Sequence, residues 1–256
     1  SYRFPIFFGI GITQKEAKQV LSQSVINGGD TSKDKFNDWG FRFSIDNYKI
    51  PKSQHIRLSY SLGYSKSNIG DPISFYDLDR SAPAPTTSRL GMTLGGNIKL
   101  FNDLGIDFKL IREAEELMVE IIANENIHEG YEAKYKDGYL GSINVIEHII
   151  NGKANKDVII KKGSEITLFN FFSFRYGKYI DWDGNIKYNT NGYGLDLGEM
   201  IKSASYVFNS QSNQKMKFLN HLNLKYNSSN WSSNNNAYDN ISFDELTISI
   251  KNINNI

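Results

Sequence analysis

A chain of 256 residues carries 29 Lys and Arg against 28 Asp and Glu, so no strong basic field marks it for nucleic acid and no acidic excess marks a disordered tail. It holds no Cys, which removes disulfides, thiolate metal sites and Cys nucleophiles. No run reaches the roughly 18 consecutive apolar residues of a membrane helix, and there is no signal peptide, so the chain reads as mature or truncated. Strands escape that exclusion, because their alternation averages out in a mean hydropathy of -0.45.

From the start of the chain, Tyr2, Phe4, Ile6, Phe8, Ile10 and Ile12 alternate with Arg3, Pro5, Phe7, Gly9 and Gly11, the period of two that predicts a strand. Gln14 to Val25 is a weaker helical candidate. In Phe36 to Tyr48, Trp39, Phe41, Phe43 and Ile45 oppose Asp38, Gly40, Arg42, Ser44 and Asp46. In Gln54 to Ser65, Ile56, Leu58, Tyr60, Leu62 and Tyr64 oppose His55, Arg57, Ser59, Ser61 and Gly63. Lys66 to Thr87 reads as a loop in which Pro72, Pro83 and Pro85 limit flexibility and Phe75 and Tyr76 offer aromatic anchors to a partner.

Ser88 to Leu100 and Leu104 to Arg112 then read as a hairpin. Two segments break the period. Ile111, Ala114, Leu117, Met118, Ile121 and Ile122 recur at three and four among glutamates, and Tyr139 to Asn151 repeats that spacing before Gly152. Together they predict a helical insertion over about 111–151. Ser164 to Tyr179 and Asn185 to Leu197 flank Asp183-Gly184, a pair suited to a two-residue primed turn. Ile201 to Phe208 is a less clean strand, Lys215 to Asn227 a clearer one, Asn227 to Asn240 with Trp231 a long polar loop, and Ile241 to Asn252 the last strand.

The expected fold is therefore all-β: one domain over 1–256, a transmembrane antiparallel β-barrel of about nine or ten recognisable strands with a short helical insertion. Several strands exceed the usual five or six residues and suit a tilted bilayer crossing. A soluble sandwich or lipocalin-like barrel, serving adhesion or carbohydrate binding, shows the same alternation and stands as the alternative. Arg42, Arg57, Arg89, Asp107, Lys109 and Arg175 fall on the polar faces and are the lumen-facing candidates. Phe75, Tyr76 and Trp231 are the partner-loop candidates.

No catalytic group, metal site or cofactor is expected. The four histidines, His55, His128, His148 and His221, lack ligand spacing. No serine sits in a nucleophile elbow, and Leu94-Gly95-Gly96-Asn97 lies in a strand pattern rather than opening a helix. Binding rather than turnover follows, with outer-membrane lipid and other proteins as partners and no nucleic acid.

The run Tyr60-Ser61-Leu62-Gly63-Tyr64-Ser65-Lys66-Ser67-Asn68-Ile69-Gly70, then Pro83-Ala84-Pro85 and Arg89-Leu90-Gly91-Met92, resembles the PorV/PorQ-like outer-membrane family. Phe174-Arg175-Tyr176-Gly177 and Thr190-Asn191-Gly192-Tyr193-Gly194-Leu195 are similar to the late hairpin of that family, and the likeness covers roughly residues 54–200. It implies a FadL-related barrel in the outer membrane of a Gram-negative bacterium, with the Bacteroidota as the candidate group. It also implies binding of secreted proteins in type IX secretion, or as the alternative a FadL-like channel for a hydrophobic small molecule. The chain lacks the family's early Asn-Pro-Ala-type segment and shows only nine or ten strands, as a C-terminal portion or abbreviated member would, and its ending in Asn254-Asn255-Ile256 rather than an aromatic residue departs from the outer-membrane assembly signal.

Overall fold

The computed structural model describes residues 5–20, 31–51, 53, 55–74, 81–100, 104–123, 131–207, 222–233 and 241–250. In chain order the first strands are β1 (Ile6–Val20), β2 (Thr31–Lys49) and β3 (Ile56–Ile69), then the two-residue β4 (Ile73–Ser74) and β5 (Ser81–Ala82). They are followed by β6 (Thr87–Lys99), β7 (Gly105–Leu117), β8 (Val119–Ala123), β9 (Tyr131–Tyr135), β10 (Val158–Leu168), β11 (Phe172–Asp181) and β12 (Ile186–Asp196). A helix α1 (Leu197–Val207) precedes β13 (Leu222–Ser233) and β14 (Ile241–Ile250).

Ten strands form one antiparallel sheet in the order β1-β2-β3-β6-β7-β10-β11-β12-β13-β14, while β4-β5 and β8-β9 are separate ribbons. Each main strand pairs with its sequence neighbours in the sheet, as an up-and-down meander requires, and β1 and β14 are the two edges. The alternation that predicts strands fixes their register, since a slip of one residue would exchange the two faces. Phe8 opposes Phe43, Phe41 opposes Tyr64, Tyr64 opposes Leu90, and Leu90 opposes Ala114, so the apolar residues make continuous rows on one face. A bulge in the β2–β3 pairing between Ile45 and Tyr48 is absorbed at Asn47, whose φ of 54° is in the left-handed region and whose N–H donates to Ser59 Oγ.

Four local readings are corrected. Gln14 to Val20 continues β1 rather than starting a helix. Ile111 to Leu117 is the end of β7, not an amphipathic helix: its apolar spacing of three and four is incidental, and Glu113 and Glu115 alternate onto the polar face opposite cations of neighbouring strands. Ser164 to Tyr179 is two strands, turned at Phe169 and Asn170 with φ of 54° and 66°. Residues 201–207 belong to α1 rather than to a strand, with Glu199 N–H capped by Asp196 Oδ1.

Among the described residues the predicted insertion holds the β8–β9 ribbon and, inside a flap of residues 136–157, one π-helical turn, Val145–Ile150. Asn144 caps it by accepting from the N–H groups of Ile146 and Glu147. The flap folds back over the apolar face at one end of the sheet, where Ile143 and Ile149 pack with Tyr64, Leu90, Ala114, Val158 and Ile160. Burial of each large aliphatic side chain there contributes about 1.5–3 kcal/mol. Ser88 Oγ and the Tyr64 hydroxyl both donate to the Tyr139 carbonyl. Beneath it the carboxylate of Glu116, without solvent exposure, accepts from Lys136 Nζ at 2.7 Å and from Ser142 N–H at 2.5 Å. Lys136 Nζ reaches Asp157 as well, at 3.1 Å.

Candidate ligand-binding interior

Period two divides each strand between the apolar face and a second, polar one, and cross-strand register shows what that second face holds. One row runs Arg42, Gly63, Gly91, Glu113, Lys161, Tyr179, Tyr188. The next runs Ser59, Gly95, Lys109, Glu165, Arg175, Gly192. Arg57, Asn97, Asp107 and Thr167 make a third, and Ser65, Arg89 and Glu115 a fourth nearer the flap end. The six charged residues singled out from sequence, Arg42, Arg57, Arg89, Asp107, Lys109 and Arg175, thus share one face.

Residues of β2, β3, β6, β7 and β10 together line a cavity of about 440 Å³. Arg42, Asp107 and Lys109 border it, with Ser59, Ser61, Thr93, Asn97, Glu165 and Thr167 between them. Arg57, Arg89 and Arg175 lie on the same face outside its lining.

Much of the charge is neutralised along the rows. Arg89 Nη2 meets Glu115 Oε1 at 3.1 Å, and Lys161 Nζ bridges Glu115 and Glu113 at 2.7 Å each. Arg175 Nε meets Glu165 Oε2 at 2.5 Å while its Nη1 donates to Asn227, which donates on to Glu245 at 3.1 Å. Asn97 Nδ2 holds Asp107 at 2.9 Å. Among the described residues Arg42 and Lys109 have no ion pair, which leaves two cations facing the cavity beside a hydrogen-bonded carboxylate. Such a lining, which also takes in Tyr60 and Phe108, can hold a polar or anionic group.

Sequence reasoning missed Glu113, Glu115, Lys161 and Asn227. Glu113 and Glu115 stand two apart, which was the available signal, but their partners lie on other strands. Phe169 and Phe171 belong to the turn between β10 and β11. Phe75 and Tyr76 lie outside the described residues. Trp231 is not in a loop: it is a residue of β13 on the polar face, stacked on Tyr188 at 5.0 Å, with Tyr188 stacked on Tyr179 at 4.7 Å. His148 is buried in the flap, where its Nδ1 accepts from the Asn144 N–H, a structural role. Among the described residues no three His, Asp or Glu side chains are grouped to hold a metal ion.

No protein-family model matches the chain, and comparison with curated proteins finds no match.

Proposed function

We propose that the ten-stranded sheet is the wall of a transmembrane β-barrel in a Gram-negative outer membrane, and that the protein acts by binding, without catalysis, within a PorV-like secretion or surface-assembly complex. The observation that carries the proposal is the separation of the two faces. Phe41, Leu94, Leu110, Ile166 and Phe174, each between 36% and 45% exposed, stand on one face of strands that carry ionic rows on the other. A soluble sheet buries its apolar face; among the described residues the flap covers one end of it.

In a bilayer the outer edges of β1 and β14 must be paired, because unpaired backbone groups in hydrocarbon are costly. The ionic interior opposes the other reading, a conduit for a hydrophobic molecule, since such a guest would have to pass Arg42, Lys109 and the paired rows without compensating polar contacts. The test is expression of the full chain followed by membrane fractionation, heat-modifiable electrophoresis and identification of co-purifying proteins. Recovery in detergent-extracted outer membranes with secreted or surface proteins attached is the expected result. A chain that stays in solution without detergent overturns the barrel, and a membrane-inserted chain that retains no protein partner overturns the binding role.

A further inference from the structure

A row of three cations interrupts the apolar face. Register places Arg112 opposite Lys162 and Lys162 opposite Lys178, so three cations stand side by side on neighbouring strands on the outward face. Like charges directly opposite one another destabilise a sheet, which calls for a counter-charge. Among the described residues none of the three forms an ion pair. Arg112 Nη1 donates to the carbonyl of Ile111, and neither lysine ammonium has a hydrogen-bond partner among the described residues. The outward acid nearest in register, Glu116, is already committed to Lys136 and Ser142.

Geometry brings two of the three, Lys162 and Arg112, to one point, and register sets Lys178 beside Lys162. At Gly152, whose φ is +61°, the place a Cβ would occupy lies 2.9 Å from Lys162 Nζ and 3.3 Å from Arg112 Nε. The level is equally defined. One step toward the flap, Ala114 and Ile160 are fully buried beneath it; one step away are Leu110, Ser164 and Tyr176, and beyond them Ile166 and Phe174. The cations therefore sit on the border between the exposed apolar band and the polar flap end.

We propose that Arg112, Lys162 and Lys178 bind the phosphate of an anionic phospholipid headgroup. The site rests on the barrel reading above. A phosphodiester accepts from a guanidinium fork and two ammonium groups at once and supplies the missing counter-charge. Its acyl chains would continue along Leu110, Ile166 and Phe174, a continuity that an acidic protein segment or a free phosphate ion would not use. A cationic row repelling itself in the absence of ligand is tolerated where headgroups are always present.

The test uses the full chain purified in detergent and reconstituted into mixed phosphatidylglycerol and phosphatidylcholine vesicles, with retained lipid counted by native mass spectrometry. The wild type should enrich phosphatidylglycerol. Lys162→Gln and Lys178→Gln should each lower that enrichment on the order of fivefold. Lys187→Gln, whose cation lies over Trp182, should leave it unchanged. Because the three cations repel one another, Lys162→Gln should also raise the melting temperature in pure phosphatidylcholine, which separates loss of the site from loss of the fold. Insertion without enrichment, enrichment that survives Lys162→Gln and Lys178→Gln combined, or equal displacement of the lipid by inorganic phosphate overturns the headgroup site alone. Failure to insert overturns the barrel reading and this site with it.

Discussion

The Glu116–Lys136 pair sets the strength with which the flap holds to the sheet, and its two halves should fail unequally. Lys136→Met removes the ammonium that Glu116 meets at 2.7 Å and leaves a carboxylate of zero exposure with Ser142 N–H as its remaining partner. An uncompensated buried charge costs about 3–5 kcal/mol. Glu116→Gln is milder. The amide oxygen still accepts from Ser142, and Lys136, 20% exposed, keeps Asp157 at 3.1 Å, so the loss is one charged hydrogen bond, about 1–2 kcal/mol. Both Lys136 and Asp157 belong to the flap, so the cost should appear as local opening rather than global unfolding. Hydrogen exchange at the amides of Ile143 and His148, which are bonded to Leu140 O and Asn144 O, reads that opening. Exchange should accelerate by roughly two to four powers of ten in Lys136→Met and by about one in Glu116→Gln, with β6 and β7 unaffected. Equal acceleration in the two variants, or acceleration that spreads through β7, refutes this account.

Arg at Leu94, on the outward face, should cost about 2–4 kcal/mol in folding into vesicles if the position lies near mid-bilayer, and Arg at Thr93, beside the interior cavity, much less; gel-shift folding yields compare them, and equal costs would sink the assignment of faces. Gly40→Ala should destabilise by about 1–3 kcal/mol in thermal melts, because its Cβ would come within 2.5 Å of the Tyr64 carbonyl, whereas Gly11→Ala, with open space around it, should be near neutral. Burial favours the neutral amine of Lys136, but hydrogen bonds to Glu116 and Asp157 outweigh it and raise its pKa above the ordinary 10.5. A raised lysine pKa gives stability that is complete below 10.5 and lost as pH climbs through the folded value, so protease nicking of the flap should stay constant at neutral pH and rise only in strong alkali. A rise beginning below 10.5 would assign flap release to another group.

Legibility in the sequence followed the locality of each signal. Period-two alternation is carried within one strand, and the segments around Phe43, Leu62, Leu94 and Phe108 pair as that period predicts. The β7 glutamates are different: what makes Glu113 and Glu115 strand residues is Lys161 and Arg89 across the sheet, which no window around residue 114 contains. Phe169 turns the chain although aromatic residues seldom take a positive φ, and Asn170 beside it supplies the usual tolerance. Where Asp183-Gly184 promised a two-residue turn, the loop has four residues and Asn185 takes the left-handed conformation, φ 50°, with its N–H bonded to Trp182 O. In β13 the Ser and Asn residues read as loop because both faces are polar; Trp231 on Tyr188 and pairing with β12 and β14 make it a strand.

The meander order has a consequence for size. Because each main strand is bonded only to its neighbours in sequence, a hairpin could be gained or lost at the β1 or β14 edge without changing a single register in the middle of the sheet. The diameter of a closed wall grows with strand number, whereas the charged rows of β6, β7, β10 and β11 are set by local pairing. In the proposed barrel, pore width and chemical lining are therefore separately variable: edge strands tune one, and central strands the other.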